Sequence, residues 1–117
     1  MLNNKSFNKV VGDSGEELAL KFLKDKHYKI IETKYINKLC EIYIIAKHKD
    51  ILVFIEVKNR TSDYFGLPRE SVNMYKQNKI RLVATSYLKS KNLLDNACRF
   101  DVIDILNGKI THIEDCF

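Results

Sequence analysis

The run Ile51-Leu52-Val53-Phe54-Ile55-Glu56-Val57-Lys58-Asn59-Arg60 decides how the rest of the chain is read. Six of its first seven residues are apolar and mostly β-branched. That is the composition of a strand covered on both faces, where the usual alternation is lost. Glu56 and Lys58 interrupt it near the C-terminal end. Successive strand side chains point to opposite faces, so both share a face with Leu52 and Phe54. A carboxylate and an ammonium there are costly to desolvate unless something compensates them. Taken alone, Glu-x-Lys is more often a structural ion pair at a strand end than a functional site, so the surrounding chain has to decide.

Immediately upstream, His48-Lys49-Asp50 reads as the turn of a hairpin, with Leu39 to Ala46 as its first strand. Glu41 and Tyr43 are expected on one face of that strand, Cys40, Ile42 and Ile44 on the other. His48 is a lone turn histidine with no assigned chemistry. Tyr28 to Tyr35 predicts a further strand at or near a sheet edge. Ahead of it, Gly12-Asp13-Ser14-Gly15-Glu16-Glu17 opens a helix that runs to about His27, after a loose or short helical lead-in over Met1 to Val11. Ser14 with Glu17 has capping-box spacing, and Asp13 with Glu16 offers the same one residue earlier. Leu18, Ala19, Phe22 and Leu23 form the buried stripe. Glu16 sits beside that stripe at the first turn, where a capping or dipole role competes evenly with a functional one.

Downstream, Thr61 to Pro68 is a loop carrying Tyr64, Phe65, Gly66 and the only proline. Ser71 and Asn73 are candidate N-caps for a long helix ending near Lys91. Ile80, Val83, Ala84, Tyr87 and Leu88 follow the spacing i, i+3, i+4, i+7, i+8. One turn further back, the same stripe meets Lys76, a cation on the inward arc where an apolar residue belongs. Cys98 to Leu106 is a strand with Arg99, Asp101 and Asp104 interleaved. Asn107-Gly108 signals a tight turn, and Ile110 to Glu114 returns antiparallel. The order is helix, three strands, helix, two strands, an α/β arrangement.

At 117 residues the chain is a single domain, spanning 1–117, with enough length to bury a core. The hydrophobic share of 45% and charged share of 30% are those of an ordinary globular protein. No run approaches a membrane span, and the polar start lacks the apolar region of a signal peptide. Cys40, Cys98 and Cys116 are odd in number and widely spaced. They are read as buried thiols in strands, in a protein of the reducing cytoplasm. The net charge is +5. Between Arg69 and Lys91, six cations face one acid, so the rest of the chain is close to neutral. A basic stripe on one element suits a phosphate backbone, although a solvated lysine-rich helix face is as common.

Several ordered segments carry a resemblance. Gly15-Glu16-Glu17-Leu18-Ala19, Cys40-Glu41-Ile42-Tyr43-Ile44-Ile45-Ala46, Val53 to Arg60, Phe65-Gly66-Leu67-Pro68, Lys76 and Arg99-Phe100-Asp101-Val102 resemble the YraN-like family. That bacterial family is assigned to the PD-(D/E)xK restriction-endonuclease-like superfamily and is closest in layout to archaeal Holliday junction resolvases. The resemblance runs from Gly12 to Phe117. It implies a restriction-endonuclease-like α-β-β-β-α-β-β fold with a mixed central sheet flanked by helices.

Carried over by position, the resemblance makes Glu16 and Glu56 the metal-binding acids and Lys58 the site lysine, these three being the catalytic set. It makes Arg60, Arg69 and Lys76 the nucleic-acid-binding cations. Such a set suits phosphodiester hydrolysis, in which carboxylates hold Mg²⁺ or Mn²⁺ and a lysine offsets developing charge. The family's middle motif is usually Gly-Glu-Ile-Asp-Leu-Ile-Ala. Here Cys40 replaces the glycine, and Tyr43 stands where the family has its metal-binding aspartate. A phenol is neutral near pH 7 and ligates Mg²⁺ poorly. Glu41, on the same face, is a possible substitute, but it lies about 6.6 Å along the strand.

The expectation is therefore a nucleic-acid-binding protein of a nuclease-like family, with metal-dependent phosphodiesterase activity weakened or lost. Two alternatives stay open: an active Mg²⁺- or Mn²⁺-dependent endonuclease on branched or single-stranded nucleic acid, and a protein-interaction or assembly subunit. The expected partner is DNA or RNA, selected by structure rather than base sequence, with no membrane role. The hairpin Ile103 to Ile113 offers an edge for pairing two copies as a homodimer.

Overall fold

The computed structural model describes the backbone over residues 4–38, 41–61 and 72–117, and side chains within the first helix from residue 15 onward. The chain runs α1 (Asn4–Asp25), β1 (Lys29–Ile36), β2 (Glu41–His48), β3 (Ile51–Arg60), α2 (Met74–Ser90), β4 (Cys98–Leu106) and β5 (Lys109–Ile113). This is the α-β-β-β-α-β-β layout expected from the sequence. The strands form one mixed sheet in the order β1-β2-β3-β4-β5. Only β3 and β4 are parallel. A parallel pair needs a crossover connection, and α2 lies within it.

β3 is buried on both faces from Leu52 to Val57, and its alternating side chains feed two cores. Leu52 and Phe54 pack with Ile80, Val83, Ala84, Tyr87 and Leu88 of α2. Val53, Ile55 and Val57 pack with Ala19 and Leu23 of α1. The helices thus cover opposite faces of the sheet. Each fully buried Ile, Leu, Val or Phe contributes about 1.5–3 kcal/mol, so β3 is the element both halves of the core depend on. The apolar stripe expected on α2 is also its buried set. Asn73 is the N-cap, its side chain accepting from the Lys76 N–H; Ser71, the other candidate cap, lies outside the described residues. Asn107 and Gly108 both take positive φ (50° and 80°), as a type I′ hairpin turn requires.

Four expectations need correction. α1 begins at Asn4 rather than at a Ser14 or Asp13 cap, so Gly12-Asp13-Ser14 lie inside the helix and Glu16 is not in its first turn. At Gly15 the helix comes close to the end of β3: a Cβ there would come within 2.8 Å of Asn59 Cβ. His48 is the last residue of β2, paired with Ile51, so the turn is Lys49-Asp50 alone, with Lys49 at φ 55°. Its ring stacks on Tyr28 at 4.0 Å. In β2, Ile42 joins the α2-side core and Ile44 the α1-side core. The break in strict alternation falls where the β2–β3 ladder ends at Ile44↔Ile55, while pairing with β1 continues to Glu41. Finally, Cys98 is exposed and Cys116 is half-buried beyond β5, so neither is a buried strand thiol; Cys40 lies outside the described residues. Among the described residues no helix is long and apolar enough to cross a membrane.

Candidate functional site

Beyond the last β2–β3 pair, the next residues on the two strands are Tyr43 and Glu56. Glu56 is among the most deeply buried charged groups, its side chain 1% exposed. Lys58 Nζ lies 3.6 Å and Lys76 Nζ 3.9 Å from the same carboxylate oxygen, Oε1. Both are ion-pair distances beyond hydrogen-bond length, and among the described residues neither Glu56 oxygen has a hydrogen-bond partner. Burial pushes the Glu56 pKa above its ordinary value; the charges of Lys76 and Lys58 offset only part of that rise, and Glu41 adds to it. The two lysines are each about one-third exposed (34%), so they link the buried carboxylate to solvent.

The sequence builds this cluster from two elements. The parity of β3 turns Glu56 toward the α2 side with Leu52 and Phe54. Lys76 stands one turn before Ile80 on the inward stripe, and the Asn73 cap fixes its backbone (Lys76 N to Asn73 Oδ1, 2.9 Å). The first turn of α2 contains no acid of its own that would compete with Glu56 for that lysine.

Glu16 is buried on α1, with Lys34 Nζ of β1 3.8 Å from its Oε2. It lines an open cavity of about 310 Å³ with Glu17, Leu20, Thr33 and Lys34. Tyr43 connects the two acids electrostatically. Its pKa is raised by burial first, then by the charges of Glu56, Glu41 and Glu16, with Lys34 opposing. The phenol therefore stays neutral at ordinary pH, within reach of the fields of three carboxylates. Glu41, half-buried at the start of β2, contributes to the environment of both Tyr43 and Glu56.

Arg60 is engaged by Asp104 of the neighbouring parallel strand, Nε to Oδ1 at 2.9 Å, with Lys58 and Asp104 in register. Arg69 and the segment Phe65-Gly66-Leu67-Pro68 lie outside the described residues. Thus Glu56, Lys58 and Lys76 come together, Arg60 and Asp104 adjoin them at the same end of the sheet, and Glu16 is held by Lys34.

A second polar cluster, on the α1 side, went unassigned in the sequence. Asp101 is fully buried. Arg99 grips it with two hydrogen bonds (2.8 and 3.0 Å), His112 Nε2 sits 2.7 Å from Oδ2, and the backbone N–H of Asp115 donates to Oδ1. Burial acts to raise the Asp101 pKa, but the hydrogen bonds from His112, Arg99 and Asp115, with the Arg99 charge, outweigh it and hold the carboxyl below its ordinary range. The same Arg99 donates to the Tyr28 hydroxyl at 2.7 Å. This cluster ties β4, β5 and the C-terminal segment together. The signal for it was the pair of acids inside the apolar run of β4.

The divalent cation implied by the resemblance requires several hard oxygen ligands. Among the described residues, no group of three or more His, Cys, Asp or Glu side chains gathers closely enough to hold an ion. Glu56 faces two lysines, Glu16 faces Lys34, and the phenol of Tyr43 is a poor neutral ligand. The described residues do not fit a resident Mg²⁺ or Mn²⁺.

Comparison with known proteins places the chain. The model of "Uncharacterised protein family UPF0102" matches residues 15–105, a span holding Glu16, Tyr43, Glu56, Lys58 and Lys76. A UPF0102 protein of Clostridium beijerinckii is 44% identical over 119 residues, covering 97% of each chain. One from Caldanaerobacter subterraneus is 43% identical, covering 93% of this chain and 95% of its own. One from Clostridioides difficile is 45% identical, covering 94% and 98%. Family model and relatives agree with the resemblance carried by the motifs: this chain belongs to the UPF0102 family.

Proposed function

We propose that this protein binds nucleic acid through backbone phosphates at the Glu56–Lys58–Lys76 cluster, and that its phosphodiester hydrolysis is weak or lost. The observation that carries the reading is the convergence of two lysines, from β3 and α2, on one buried carboxylate oxygen. The cluster has two positive charges to one negative, and α2 adds Lys79, Arg81 and Lys89 without a single acid. A phosphate oxygen competes with Glu56 for the two ammonium groups, and Glu56, whose pKa burial already raises, takes up a proton as they turn to the phosphate. Contacts of this type read the backbone, so selectivity falls on nucleic-acid structure rather than base sequence. Tyr43 supports the loss of hydrolysis, since a neutral phenol that feels the charges of Glu56 and Glu16 stands where the resemblance calls for a further carboxylate.

The test is a fluorescence-anisotropy titration of labelled oligonucleotides at several salt concentrations. Affinity is expected to fall steeply between about 50 and 200 mM salt, and Lys58→Ala and Lys76→Ala each to weaken binding and flatten the log–log salt slope by about one unit. Binding that ignores salt, or none at low salt, rules the reading out and favours an assembly role.

A further inference from the structure

We infer that Tyr75 is a stacking platform for an unpaired base, so that the site takes single-stranded or locally opened nucleic acid in preference to a closed duplex. The inference rests on the reading that the Glu56–Lys58–Lys76 cluster binds nucleic acid, and it names the substrate class of that same site. Tyr75 is 69% exposed, an unusual position for a large aromatic ring on a helix whose core contacts are supplied by Ile80, Val83, Ala84, Tyr87 and Leu88. Lys79 Nζ, one turn on, lies 4.4 Å from the ring centroid. The ring is thus backed by a cation and still mostly open to solvent.

Its position matters more than its exposure. Consecutive helix residues are separated by about 100° and about 1.5 Å of rise. Lys76 turns inward to the carboxylate of Glu56 while Tyr75, on the same turn, looks outward. A phosphate on Lys76 and a base on Tyr75 therefore fit neighbouring parts of one strand. Met74 (64% exposed) and Leu82 (57%) extend the apolar surface around the ring. Lys79 and Lys89, on the same side of α2 as Tyr75 and unopposed by any acid in that helix, give that surface the charge that suits a polyanion rather than an apolar peptide. Aromatic rings interleaved with cations are how proteins hold single strands: stacking needs a base free of its partner, which a closed duplex does not offer.

The chain contains no tryptophan, which makes a direct test available. Wild type, Tyr75→Ala, Tyr75→Trp and Lys76→Ala are titrated by anisotropy against a labelled oligothymidine strand and a duplex of equal length at low salt, with circular dichroism to check folding. Tyr75→Ala should weaken single-strand binding by about tenfold and leave duplex binding unchanged. Lys76→Ala should weaken both. Tyr75→Trp should restore single-strand affinity, and its indole emission should be quenched when the strand is added. An equal response of strand and duplex to Tyr75→Ala, no response at all, or an unquenched indole overturns the stacking role while leaving phosphate binding intact. Failure of wild type to bind either ligand instead removes the underlying reading, and the stacking role with it.

Discussion

Lys76 Nζ lies 3.9 Å from Oε1 of Glu56, tying the first turn of α2 to the central strand just beyond the point where β3 parts from β2. The same oxygen faces Lys58 at 3.6 Å. A buried carboxylate with two ammonium groups beyond hydrogen-bond length, and no hydrogen bond among the described residues, is under-compensated, since its charge is attracted but not well solvated. Replacing such a group reveals the cost of burying its charge.

Glu56→Gln is predicted to stabilise the protein near neutral pH. The folded-state pKa of Glu56 is raised above its ordinary value of 4.5, so this residue contributes most to stability below that value and the contribution is lost as pH rises through the raised pKa. At pH 7 the variant escapes the cost of burying a charge, and its Tm should exceed that of wild type by a few degrees. Near pH 4 the difference should shrink toward zero. Thermal melts from pH 4 to 8 check this; a variant less stable than wild type at pH 7 would show that the lysines fully compensate the charge.

Asp101→Asn is predicted to act in the opposite direction, because Asp101 is buried with its charge satisfied. Loss of the carboxylate leaves Arg99, only 14% exposed, without its bidentate partner and should cost about 2–4 kcal/mol. The folded-state pKa of Asp101 is lowered, so its contribution is present above the unfolded value of about 3.9 and disappears as pH falls through the folded value. Urea midpoints should therefore separate wild type and variant at pH 7 and converge only in strong acid. A constant gap down to pH 2 would contradict the assignment.

Gly15→Ala tests the close approach of α1 to the end of β3. In an exposed helix interior alanine is favoured over glycine by about 1 kcal/mol. Here the added Cβ meets Asn59 Cβ and Nδ2 at 2.8 Å, and overpacking of this kind costs about 1–3 kcal/mol. Net destabilisation is expected, relieved in the double variant Gly15→Ala/Asn59→Gly. A double-mutant cycle measures the coupling, and additive effects would remove the steric explanation.

What the sequence made legible follows from the range of the interactions involved. The bounds of β3 and β4, the buried stripe of α2, the Asn107-Gly108 turn and the inward cast of Lys76 are all written in local periodicity or turn chemistry. The need for glycine at position 15 was not legible, because its reason, the nearness of Asn59, lies on another element. Asp101 and Asp104 were visible as acids in an apolar strand, but their partners Arg99, His112 and Arg60 are fixed by sheet register and side-chain reach. Likewise Glu16 looked like a first-turn acid until the helix proved to start far upstream. Local pattern gave the elements; the pairing of charges between them required the fold.

The central claim is that the Glu56–Lys58–Lys76 cluster holds nucleic acid without cutting it, Tyr43 being the reason. Its most direct test is an endpoint cleavage assay on labelled single-stranded and branched DNA with Mn²⁺, comparing wild type, Tyr43→Asp and Glu56→Ala. The account predicts intact DNA with wild type and with Glu56→Ala, and cleavage products from Tyr43→Asp. Efficient cutting by wild type that vanishes in Glu56→Ala would contradict it.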